Sequence, residues 1–150
     1  MNYRVLFVTL ALLVPGLANA YTQDIVLSTM NVDRVYDGDT LTVNLPGQHD
    51  LFGKEIGVRL KGIDTPELVS HCLTAEQRVA EKAKAVAARS LVEAMVVAGR
   101  RVTLSNLERD KYFRILATVH IDDQDVSAAL IEKGLADPYN GGTKLSWCGR

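Results

Sequence analysis

Short alternating strands on either side of one long helix predict an α+β fold, mainly β with helices, built on a small, partly open, antiparallel five-stranded barrel of the OB type. Apolar Leu41, Val43 and Leu45 alternate with Thr40, Thr42 and Asn44, and Ile56, Val58 and Leu60 alternate with Gly57, Arg59 and Lys61. A third run, Ile115, Ala117, Val119 and Ile121, repeats the two-residue period, and a helical period separates it from the first two.

The first twenty residues read as an address. Arg4 gives a basic start, Val5 to Val14 is apolar except for Thr9, Pro15-Gly16 breaks the run, and Ala18-Asn19-Ala20 is a small-residue cleavage site. Residues 1–20 are therefore expected to be a signal peptide and 21–150 a single mature domain. An apolar run of about ten residues is too short to span a bilayer, which takes roughly twenty. No cysteine stands at the cleavage site to carry lipid. The expected location is the periplasm or the outside of the cell, with no membrane anchor.

After the leader, 26–36 is rich in β-branched residues and Pro46-Gly47 supplies a turn. On the strand that follows, Arg59 falls on the face opposite Ile56, Val58 and Leu60. Thr74 opens a helix with capping-box spacing to Gln77, and Gly99 stops it. Val79, Ala83, Val86, Ala87, Leu91, Ala94, Met95 and Ala98 recur at helical period, and this stripe is the expected core face. Val102 and Leu104 mark a strand before the run at 115–121. A second helix is expected from Asp125, as N-cap, to Lys133, with Gly134 at its end.

Charge excludes one class of partner surface. Loss of Arg4 with the leader takes 17 basic residues to 16 against 18 acidic, a formal −2. Such a chain does not grip nucleic acid over a broad basic face, so any contact is confined to a cleft. His49, His71 and His120 lack zinc-binding spacing. Export makes Cys72 and Cys148 candidates for one disulfide, two free thiols being the other reading.

Four stretches carry chemistry: Asp37-Gly38-Asp39-Thr40, Arg59, Asp64-Thr65-Pro66-Glu67 and Asp110-Lys111-Tyr112-Phe113-Arg114. Hard carboxylates suit a cation, a further carboxylate suits an attacking water, and guanidinium forks suit a phosphate, which are the needs of phosphodiester cleavage. Singly, Asp37-Gly38-Asp39 reads as a turn, Asp64-Thr65-Pro66-Glu67 as a helix entry and Arg59 as a solvated strand residue. Tyr112 and Tyr139 suit stacking on bases or packing at a barrel rim, and Lys111 suits a phosphate or solvent.

In this order, and followed by Glu132-Lys133-Gly134-Leu135-Ala136, these motifs resemble the staphylococcal (thermo)nuclease family over roughly residues 32–139. The resemblance implies Ca²⁺ held by Asp39, Asp64 and the backbone carbonyl of Thr65, with Asp37 nearby. It also implies Glu67 orienting or deprotonating water, and Arg59 and Arg114 binding the phosphate and its transition state. Tyr139 lies where the family has base-contacting tyrosines. The family usually has glycine between the tyrosine and the second arginine, where this chain has Phe113. A positive φ there would strain the turn by about 1–2 kcal/mol or displace Arg114.

The leader and the resemblance together imply an exported, Ca²⁺-dependent endonuclease of the thermonuclease kind, expected to be a monomer. It would hydrolyse single-stranded or unpaired DNA and RNA to 3′-phosphates. The alternative is a non-catalytic OB-fold module that binds single-stranded nucleic acid.

Overall fold

The computed structural model describes residues 23–150, and the expected signal peptide lies outside the described residues. Strands β1 (Ile25–Ser28) and β2 (Val32–Val35) are halves of one bent segment, joined by a 3₁₀ turn at Thr29–Asn31. Ser28 caps that turn by accepting the Met30 N–H. The remaining elements are β3 (Thr40–Val43), α1 (Asp50–Gly53), β4 (Ile56–Leu60), β5 (Ile63–Asp64), α2 (Ala75–Ala98), β6 (Arg101–Arg109), β7 (Ile115–Ile121), β8 (Gln124–Asp125), α3 (Val126–Glu132) and β9 (Asp137–Pro138).

The main sheet runs β1-β6-β7-β4-β3-β2, with β8 on β7. Its two edge strands are the two halves of the bent segment, so the chain itself joins one edge to the other and curls the sheet into an OB-type barrel. Counting the bent segment once, five strands form it. The β4–β7 ladder is parallel, with Val58 opposite Ile115 and Arg59 opposite Leu116. This ladder departs from the antiparallel pairing expected of the barrel, whose other ladders are antiparallel. Helix α2 and strand β6 intervene between β4 and β7 and return the chain to the end from which β4 starts. Shifts in register between Ser105 and Glu108 on β6, where Asn106 has φ +52°, and between Val32 and Arg34 on β2 bend the ladder.

Inward residues of the barrel, including Leu41, Val43, Val58, Leu104, Ala117 and Val119, are fully buried. Val126 and Leu130 of α3 and Ala88 and Val92 of α2 join the same core. At α2 the structure corrects the expected stripe. Its buried positions are Glu81, Ala85, Ala88 and Val92, whereas Val79 is 70% exposed and Val86 47%. Leu91 and Met95 of the expected set do pack on the core as half-buried residues. Two alanines on the inner face let the helix approach closely, and a glutamate on that face hid it from an apolar count. The Thr74–Gln77 capping box forms, and Asp125 caps α3 by accepting the Ala128 N–H at 3.0 Å.

Candidate active site

Thr40 pairs with Arg59 across the β3–β4 ladder, so Asp39, one residue earlier, meets the Arg59 side chain. Arg59 Nη1 donates to Asp39 Oδ1, and Nη2 lies 3.5 Å from Asp64 Oδ1. One guanidinium thus spans two carboxylates that are 2% and 3% exposed. Burial raises the Asp39 carboxyl from 3.8 to about 6, with Arg59 opposing the rise and Asp37 adding to it. Asp37 Oδ1 accepts the Asp39 N–H at 3.1 Å, and the Thr65 N–H donates to Asp39 Oδ2 at 3.2 Å. Gly38 completes this loop. A Cβ there would stand 2.7 Å from Ala88 Cβ and 2.9 Å from Thr65 Cγ2, so only glycine fits between α2 and Thr65.

Glu67 projects at the rim with its side chain 52% exposed. Its backbone N–H donates to Glu81 Oε1 at 3.3 Å. Glu81, only 5% exposed, also accepts from Ser70 Oγ and touches the disulfide sulfur of Cys72 at 3.1 Å. A buried carboxylate of α2 therefore shapes the loop that carries Glu67.

Arg114 approaches from β7. A Cβ added at Gly57 would lie 3.1 Å from Arg114 Cγ, so the arginine stem crosses β4 beside Gly57, on the strand face that Arg59 shares. Asp110 fixes the head: its Oδ2 accepts from Nε at 2.7 Å and pairs with Nη2 at 2.7 Å, while Oδ1 accepts the Arg114 N–H at 3.0 Å. Phe113 has φ +66°, the left-handed conformation for which glycine is the usual residue. The residue is 76% exposed, with the Arg109 guanidinium 4.4 Å from the ring centroid. The turn thus keeps a glycine-like shape with a phenylalanine in it, and Arg114 stays anchored.

Tyr139 lines a cleft of about 350 Å³ together with Arg59, Lys61, Gly62 and Asn140. Its N–H donates to the Gly62 carbonyl at 2.8 Å, extending the short β5–β9 ladder that places Asp137 opposite Asp64. Lys111 and Tyr112 are exposed on the turn before Arg114, with the Arg114 guanidinium 5.4 Å from the Tyr112 ring.

Cys72 and Cys148 are bridged. The bridge holds Trp147, whose Nε1 donates to Asp64 Oδ2 at 3.4 Å, and Lys144, whose Nζ lies 2.6 Å from Asp64 Oδ1 and 3.2 Å from Glu67 Oε1. Lys144, Trp147 and Glu81 are the site residues that sequence reading missed. Only the cysteine pair hinted that the tail returns to the segment after Glu67.

A model of the family described as staphylococcal nuclease homologue matches residues 57–144. The chain belongs to that family. The match takes in Arg59, Asp64, Thr65, Glu67, Arg114 and Lys144, and leaves Asp37 and Asp39 ahead of it. The chain is 35% identical over 121 residues to a thermonuclease of Staphylococcus hyicus, covering 81% of this chain and 62% of that one. It is 29% identical over 139 residues to an uncharacterized endonuclease of Haemophilus influenzae, covering 93% of this chain and 66% of the relative. A probable endonuclease LCL3 of Verticillium alfalfae is 32% identical over 108 residues, 69% of this chain and 35% of the relative. Each match thus covers less than two thirds of the relative's own length.

The donor set fits the metal that this family implies. Asp39 and Asp64 offer buried carboxylate oxygens and no sulfur or imidazole, as a hard cation requires. Asp64 Oδ1 is a buried oxygen that accepts no well-aligned hydrogen bond and is met only by cations, Lys144 Nζ at 2.6 Å and Arg59 Nη2 at 3.5 Å. A carboxylate oxygen set among positive charges is a donor that a hard cation could share or take over from them.

Proposed function

We propose that the chain is a Ca²⁺-dependent nuclease that hydrolyses phosphodiester bonds of single-stranded or unpaired DNA and RNA, leaving 3′-phosphates. The observation that carries this reading is the pairing of buried Asp39 and Asp64 on Arg59, with Arg114 on the same face of β4 and Glu67 at the rim. Asp39, Asp64 and the Thr65 carbonyl would hold the cation, which would supply positive charge beside the phosphate and the attacking water. Glu67 orients that water and takes its proton. Arg59 and Arg114 bind the equatorial oxygens and stabilise the charge that builds there, a task for planar forks that lysine does not replace. The cleft beside Tyr139 is of a size to hold a nucleoside, and a tyrosine at its wall suits stacking on an unpaired base.

Two features support export to the periplasm or beyond: a disulfide and the leader-like first twenty residues. Among the described residues no helix is long and apolar enough to cross a membrane. The anchoring of Arg114 by Asp110 weighs against a non-catalytic binding module in which that arginine is displaced from the phosphate.

The test is degradation of single-stranded DNA and RNA by the purified chain in calcium, with a chelator control and analysis of the product ends. Calcium-dependent cleavage to 3′-phosphates is expected. A folded chain that binds oligonucleotides without cutting them would establish the binding module instead.

A further inference from the structure

We propose that Lys144 is a tethered cation of this site, holding the Asp64 and Glu67 carboxylates when no metal is bound and competing with a divalent cation for Asp64. The inference rests on the nuclease reading only for the identity of the metal site. Lys144 sits on a C-terminal segment without helix or strand, yet that segment is fastened at several points. Cys148 is bridged to Cys72, Trp147 is 6% exposed, and Arg150 Nη2 pairs with Asp137 at 2.5 Å. The segment walls a cavity of about 400 Å³ that Asp64, Glu67 and Lys144 line together. These anchors keep the Lys144 backbone beside the site, from where its half-exposed ammonium reaches both carboxylates.

The charges explain what it does there. Asp37, Asp39, Asp64 and Glu67 bring four carboxylates into one neighbourhood, and Arg59 is paired with two of them. Lys144 meets the same Asp64 oxygen that Arg59 approaches, at 2.6 Å, and reaches Glu67 Oε1 at 3.2 Å, so it is the cation shared between those two carboxylates. A metal drawn to Asp64 Oδ1 meets this ammonium as a rival for the same oxygen and as a like charge. Lys144 is accordingly a positioning residue: it keeps Glu67 beside Asp64 and lowers the site's affinity for a divalent ion.

The chain has a single tryptophan, Trp147, hydrogen-bonded to Asp64, so terbium used as a calcium surrogate is detected by indole-sensitised emission. Terbium titrations, and their reversal by calcium, are compared for the full chain, Lys144→Met and Lys144→Arg. Lys144→Met is expected to bind both ions more tightly, on the order of fivefold for loss of two ion pairs made by a half-exposed ammonium. Lys144→Arg is expected to stay near the wild type. Opening the disulfide in a Cys72→Ser, Cys148→Ser chain should shift calcium affinity, followed by calorimetry, in the direction of Lys144→Met. Equal affinity in wild type and Lys144→Met, or weaker binding in the variant, overturns the proposal while leaving the metal site standing. Absence of binding in every chain overturns the metal site, and the proposal with it.

Discussion

Arg114 lies across Gly57: the space a side chain would take at Gly57 is filled by the arginine stem, whose Cγ stands 3.1 Å from where a Cβ would be. A bare strand position two residues before Arg59 thus lets a second guanidinium come to the same face. Gly57→Ala should leave the chain folded but shift Arg114, lowering turnover by roughly ten- to a hundredfold, as misplacements near 1 Å do. Steady-state cleavage rates with a circular dichroism control check this. Unchanged turnover would mean that Arg114 works from elsewhere.

Asp39 makes the metal-free chain pH-sensitive. Its carboxyl is raised from 3.8 to about 6, so the folded state holds that proton more tightly than the unfolded state. The associated stability is present below about pH 4 and is lost as pH rises through about 6. Relative to Asp39→Asn, the unfolding free energy of the wild type in chelator should fall by about 2–3 kcal/mol between pH 4 and pH 7. Urea denaturation at the two pH values measures it, and a difference that does not change with pH contradicts it.

Phe113→Gly should alter little. Relief of left-handed strain, about 1 kcal/mol, is offset by the greater unfolded-state freedom of glycine and by loss of the Arg109 contact. Because Asp110 already holds Arg114, turnover should change by no more than a few-fold. A gain of orders of magnitude, read in the same cleavage assay, would show that Phe113 had disabled the site.

The disulfide spans 76 residues and closes the fold over the carboxylates. Replacing both cysteines with alanine should cost about 3–5 kcal/mol in urea denaturation, the chain-entropy value for a loop of this length. A cost below about 1 kcal/mol would show that the tail is held by Trp147 and Arg150 without the bridge.

Much of the site was legible because its residues stand in short runs whose local geometry places them. Asp39 and Arg59 meet through strand pairing, and the alternation of 56–60 put Arg59 on the open face. The bridge between Cys72 and Cys148 followed from compartment and count. Contacts made at long range were not legible. Glu81 sits in the helical pattern as an ordinary polar residue, and only the fold turns it inward to the loop of Glu67. Lys144 and Trp147 lie in a segment without periodicity, so nothing local said that they return to Asp64. The parallel β4–β7 pair was hidden for the same reason, since its partners are separated by the whole of α2 and β6.

The most direct test of the account is single-turnover cleavage of a single-stranded oligonucleotide in calcium by wild type and Glu67→Gln, with oligonucleotide affinity measured alongside. Glu67 is assigned to the water and to no other ligand, so its loss should slow cleavage by at least about a hundredfold and leave affinity within a few-fold. Equal cleavage rates in the two chains would contradict the assignment of Glu67 and, with it, the proposed chemistry of the site.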